Sequence, residues 1–202
     1  MSQYPFLPGS FWATLSIIDR RVAEEVRALG CPHCSGRLHA ARYPRKPRGV
    51  PRHVLGDTYA SRESFCCRDC RRRTTPPSVR FLGRKVYLGA LLIVFGNVPG
   101  AGASVGAALR RLAATTAIPL RTLARWRTWW SVTLPSSRWW RACSASFVPS
   151  IASAELPLAL LARVEGHDAR ERLTAVLGLS SPLSTITCSH FPRVVTGTQK
   201  MP

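Results

Sequence analysis

The chain has 202 residues, 46% of them apolar, enough for a real core in one medium domain or two small ones. Its formal net charge is +19, from 29 Lys+Arg against 10 Asp+Glu, and a surplus of that size selects polyanionic partners. Seven cysteines, an odd number in close clusters, argue against a disulfide framework and for a metal site in a reducing compartment.

In chain order, residues 1–14 are aromatic and Pro-rich and read as an irregular lead-in. They lack a basic stretch followed by an apolar run, so no signal peptide is expected. A helix is predicted over 16–29, capped by Ser16, with Ile17, Val22 and Val26 at near-helical spacing and Gly30 as a left-handed stop. Residues 31–81 then form a basic module that carries two thiol pairs. Its 43–48 run contains Pro44 and Pro47 and is expected to be extended or turn-rich. A short strand is expected at 78–81.

From residue 82 the pattern turns helical. Helices are predicted over 84–95, 104–115 and 119–131, with a fourth over 135–147. The link at 116–118 is short, and Pro119 suits a first helical position. Two short helices joined this way suggest a helix-turn-helix. Further helices are expected at 155–163 and 168–177, and the Ser/Thr-rich tail is expected to be poorly ordered. The fold class read from this pattern is mainly α. A small zinc-ribbon-like module leads into a helix-turn-helix helical bundle, with boundaries at 1–30, 31–81, 82–148, 149–178 and 179–202.

Residues 86–109 carry no charge, which raises a membrane span, but Gly96, Pro99 and Gly100 interrupt the run. Two helices joined by a turn are the better reading, and no membrane partner is expected. Charge distribution says more. Between Cys70 and Ala154 there is no acidic residue, against thirteen Arg or Lys. A surface made only for solubility mixes its signs.

The sharpest chemistry is in the cysteines. Cys31 and Cys34 form one Cys-x-x-Cys turn, and Cys67 and Cys70 form another. Each turn offers two thiolates, and two turns complete a tetrahedral site with no open position, so a structural zinc is the cofactor expected. Cys66 stands beside the second pair and can substitute for Cys67, which is the favoured ligand. His33 and His39 are weaker ligand candidates. The 32 residues between Cys34 and Cys67 exceed the usual spacing of a compact ribbon, so part of that insertion must loop out.

Nucleic-acid contacts are expected in two places. Arg71, Arg72 and Arg73 follow the second thiol pair directly. In the helix predicted over 119–131, Arg121, Arg125 and Thr128 project opposite Leu120, Leu123, Trp126 and Trp130. Thr122 and Arg127 complete the candidate contact set, Arg127 lying nearer the apolar edge. The paired tryptophans at 129–130 and 139–140 read as core before they read as base-stacking platforms. Catalysis finds little support, because none of the acidic residues lies in the helical middle, the last four crowd into one short C-terminal stretch, and no phosphate-binding Gly loop occurs.

Cys31-Pro32-His33-Cys34, the Phe65-to-Pro76 segment with Cys67, Cys70 and Arg71-Arg72-Arg73, and the Leu120-x-x-Leu123-x-Arg125-Trp126 pattern together resemble the N-terminal zinc-ribbon and helix-turn-helix region of bacterial insertion-sequence transposases. The resemblance spans about residues 31–130. It implies a DNA-binding region without that family's separate catalytic domain, as in a truncated or accessory protein. The expected partners are double-stranded DNA and a transposase or other recombination protein, in a cytoplasmic, nucleoid-associated setting. The alternatives are a zinc-stabilised RNA-binding or adaptor protein and a small membrane protein.

Overall fold

The structure, a computed structural model, describes residues 9–45, 57–81 and 118–184, together with Leu7, Leu55, Gly89 and Arg110. Among these residues it is mainly helical, with two small antiparallel sheets. The first helix, α1, runs Gly9–Leu29 and so starts well before Ser16. Phe11, Trp12, Leu15, Ser16, Asp19 and Ala23 are buried at helical spacing and form one continuous stripe. The lead-in residues from Gly9 to Thr14 therefore belong to the helix. Ser16 is not its cap: its hydroxyl donates back to the Trp12 carbonyl inside the helix, at 3.2 Å. Gly30 closes the helix with φ +79°, as the sequence predicts.

The segment after α1 builds two small antiparallel sheets. Strand β1 (Leu38–Ala40) pairs with β4 (Phe65–Cys67), and β4 pairs with β5 (Arg73–Thr74). Strand β2 (Tyr43–Pro44) pairs with β3 (Ser61–Arg62), so the Pro-rich run is extended where it is described. The residues expected to form a strand at 78–81 instead make a bend, with only an isolated bridge at Phe81.

The remaining described helices are α2 (Leu120–Thr128), α3 (Arg138–Ser144), α4 (Leu158–Arg163) and α5 (Ala169–Ser180). Beyond α2 the backbone widens into a π-type turn at Trp129–Thr133, where the Leu134 N–H donates to the Trp129 carbonyl at 2.8 Å. Pro119 sits just outside α2 as its cap, not within it. Of the tail predicted to be poorly ordered from 179, the first residues complete α5 and a 3-10 turn at Ser181–Ser184, and 185–202 lie outside the described residues. The helices predicted over 84–95 and 104–115, and with them the first half of the helix-turn-helix, lie outside the described residues. So does residue 86–109 apart from Gly89. No helix among the described residues is long and apolar enough to cross a membrane.

Two hydrophobic cores result among the described residues, and α1 contributes to both. Its first half joins Tyr59, Phe81, Leu123, Trp126, Trp130 and Val176 in the larger core. There Phe11, Trp12, Tyr59 and Phe81 contact edge to face in succession, with ring centroids 5.4, 6.0 and 6.0 Å apart. Its second half supplies Ala23 to a smaller core with Cys31, Leu38, Phe65 and Cys67.

Between the cores lies a buried polar junction. Asp19 is 3% exposed and Arg80 4% exposed, and Arg80 Nε donates to Asp19 Oδ2 at 2.6 Å. Ser78 Oγ–H and the Val79 N–H donate to the same carboxylate, each at 2.6 Å. Arg80 Nη1 also donates to the Thr58 carbonyl, so both members of the charge pair are tied to backbone. Tyr59 donates its hydroxyl to the Trp12 carbonyl at 3.0 Å, and burial pushes its pKa well above the usual value despite nearby Arg80. Arg62, its pKa lowered by burial, binds the Pro76 carbonyl and both oxygens of Ser184. That contact anchors the 3-10 turn at the end of the described chain.

Removing one partner of such a pair leaves a buried, uncompensated charge. Asp19→Ala is therefore expected to lower unfolding free energy by about 3 kcal/mol in urea denaturation. Glu24→Ala, on the exposed side of α1, is expected to stay within about 0.5 kcal/mol of wild type. Equal small losses in both variants would contradict the structural role of the junction.

Candidate metal centre and its basic surround

The two thiol pairs fold as near copies of one turn. In the first, the Cys31 N–H donates to the Gly36 carbonyl at 2.9 Å; in the second, the Cys67 N–H donates to the Arg72 carbonyl at 2.9 Å. The residue after each second cysteine takes a left-handed conformation, Ser35 at φ 58° and Arg71 at φ 60°. Left-handed backbone at a non-glycine residue costs energy, and its matched occurrence marks a turn shape imposed on both segments. Gly36 lets the turns approach each other. A Cβ there would lie 3.0 Å from Cys67 Sγ and collide with the Asp69 carboxylate.

The result is one cluster of Cys31, Cys34, Cys67 and Cys70, with all four sulfurs within 4.8 Å of one another. Cys31 and Cys70 sulfurs are 3.6 Å apart, and those of Cys34 and Cys67 are 3.4 Å apart. Four sulfurs at roughly 2.3 Å from a tetrahedral zinc would stand about 3.8 Å from each other. The cluster could thus hold a metal ion, and its dimensions are compatible with structural zinc.

Backbone donors prepare the sulfurs for such a cation. The His33 N–H points at Cys31 Sγ at 3.5 Å. The Cys70 and Asp69 N–H groups point at Cys67 and hold its thiol near pKa 7, toward the thiolate that a metal requires. Cys70 is pushed up to about 12, since burial and the sulfurs of Cys34, Cys31 and Cys67 outweigh the N–H of Arg72. Several thiolates at this separation repel unless a cation lies among them.

Strand alternation decides between the adjacent cysteines. Cys67 faces inward beside Leu38, whereas Cys66 occupies the other face of β4, in a row with His39 and Arg73. Its sulfur lies 3.5 Å from the Arg71 carbonyl and outside the cluster. His33 and His39 are exposed and outside it as well; His33 Nδ1 faces Arg72 Nη1 at 3.2 Å. Cys143 is a separate thiol whose pKa burial raises to about 11, the mark of an unreactive cysteine.

The candidate DNA contacts fall into two groups on different parts of the fold. Arg71, Arg72 and Arg73 are exposed around the second thiol turn. Arg121, Arg125 and Thr128 are exposed on α2, and Arg127 is half-buried. Thr122 departs from its expected place: it is 3% exposed, one turn before Trp126 and beside Leu123 on the core side. Leu120 in turn is 40% exposed. The Asp19–Arg80 pair and buried Arg62 were not legible as structural elements, because nothing local distinguishes them from surface charges.

No family model, curated protein or solved structure matches the chain.

If the inward cysteine is the ligand, Cys67→Ser is expected to abolish stoichiometric metal binding in elemental analysis. Cys66→Ser is expected to retain about one zinc per chain. The opposite ranking would put Cys66 in the site.

Proposed function

We propose that this is a non-catalytic, zinc-stabilised protein that binds double-stranded DNA. The observation that carries the reading is the four-thiol cluster flanked by exposed arginines, in a chain with no acidic residue between 70 and 154. On this reading the thiol module is a zinc ribbon, with the metal fixing Arg71–Arg73 for phosphate contact. The α2 helix is the recognition element of a helix-turn-helix and offers Arg121, Arg125 and Thr128 to the groove. Thr122 leaves the contact set because it is buried.

Four of the 10 acidic residues are already committed to structural contacts, which supports a non-catalytic role. Asp19 is consumed by Arg80, and Glu63 pairs with Arg42 at 2.9 Å. Asp168 caps α5, accepting from the Arg170 and Glu171 N–H groups, while Glu171 accepts from the His167 N–H. The sequence resemblance supports an origin in or beside a mobile element, with a transposase-like DNA-binding role beside a recombination enzyme in the nucleoid.

Electrophoretic shift of zinc-loaded protein across salt tests this. Duplex affinity is expected to fall with log salt at a slope of roughly 0.9 per phosphate neutralised. Joint Arg121→Ala and Arg125→Ala substitution is expected to weaken binding about tenfold or more. Absence of duplex binding, or affinity indifferent to salt, would overturn the proposal, and a clear preference for structured RNA would replace DNA as the partner.

A further inference from the structure

A polar cavity of about 390 Å³ opens between the middle of α1, the segment after β1 and the 57–60 turn. It is walled by Arg20, Arg42 and Arg80 and by the hydroxyl residues Ser16, Thr58 and Ser61. Three guanidinium groups meet one carboxylate in this lining, that of Glu63, which already accepts from Arg42 Nε at 2.9 Å. The Asp19 carboxylate behind Arg80 is engaged by Ser78, Val79 and Arg80. Counting both acids, the cavity keeps a positive excess.

Its donors are also pre-arranged. Arg80 is fixed through Nε to Asp19 and through Nη1 to the Thr58 carbonyl, with its guanidinium 5.2 Å from the Tyr59 and Phe81 ring centres. Its Nη2 makes no hydrogen bond among the described residues and lies on a residue only 4% exposed. Arg20 has no ion pair there, and Ser61 Oγ no hydrogen bond. A rigid, buried guanidinium with a free donor edge, a second cation and an uncommitted hydroxyl suit a multiply charged oxyanion better than a neutral ligand. The volume admits a phosphate with its attached sugar but not a duplex.

We propose that this cavity binds a phosphate group, either inorganic phosphate or a terminal phosphate monoester, held by Arg20, Arg80 and Ser61, with Arg42 available on release from Glu63. The site is independent of duplex binding through Arg71–Arg73 or α2. Its phosphate can be free or can end a nucleotide chain, and the two sources are separable by experiment.

Titration calorimetry on the zinc-loaded full chain at constant ionic strength provides the test, using inorganic phosphate and then a thymidine trinucleotide with a 5′-phosphate or a 5′-hydroxyl. Inorganic phosphate is expected to bind saturably at one site. Arg20→Gln is expected to weaken it about tenfold, and Ser61→Ala to weaken it more modestly. Both changes are at accessible positions, and an unchanged urea midpoint checks that the fold is intact. Arg121→Ala is expected to leave phosphate binding unaltered. Tighter binding of the 5′-phosphorylated trinucleotide supports the site with a nucleic-acid end as source, and equal trinucleotide affinities support it with free phosphate as source. No saturable phosphate binding, or wild-type affinity in Arg20→Gln, overturns the proposal, whatever the outcome with duplex DNA.

Discussion

The convergence of four thiols on one point is the constraint from which the first half of the molecule follows. The smaller core holds Ala23, Cys31, Leu38, Phe65 and Cys67, and two of these five are themselves cluster members. So few apolar groups cannot offset the conformational entropy of ordering two turns and three short strands. A metal bridging the sulfurs would supply the missing cohesion directly, because binding free energy then becomes folding free energy. The matched left-handed residues Ser35 and Arg71 fit this view, since strained backbone persists only where its surroundings hold it.

The larger core needs no such help. It gathers aromatic and aliphatic side chains from α1, α2, α4 and α5, including a run of edge-to-face ring contacts. What joins the two cores is α1 itself, with the Asp19–Arg80 pair at the handover between its apolar halves. Part of the basic surplus is therefore architectural. Arg62 and Arg80 count toward a charge of +19 but are turned inward, one to backbone carbonyls and a serine and the other to a carboxylate. The exposed arginines, among them those around the second thiol turn and on α2, remain available to partners.

The thiol site was legible in the sequence because its signal is chemical: Cys-x-x-Cys spacing survives whatever surrounds it. The choice of Cys67 over Cys66 needed the strand, whose two-residue period turns one sulfur in and its neighbour out. Gly30 was legible as a stop through its backbone freedom. The start of α1 was not, because Phe11 and Trp12 beside prolines read as irregular chain until Tyr59 and Phe81 are seen packed against them. Thr122 was misplaced for a related reason. On α2 the buried stripe is centred on Leu123 and Trp126, which draws Thr122 inward and leaves Leu120 partly in solvent. Asp19, Arg62 and Arg80 were illegible because their partners lie 61 and 122 residues away in sequence.

The most direct measurement is hydrogen exchange of backbone amides with and without a metal chelator. A metal-held small core beside a self-sufficient larger one requires chelation to remove protection across residues 31–40 and 65–74. Protection in the first half of α1, in α2 and in α5 should persist. Unchanged protection around the four cysteines, or its loss throughout the chain, would contradict that arrangement.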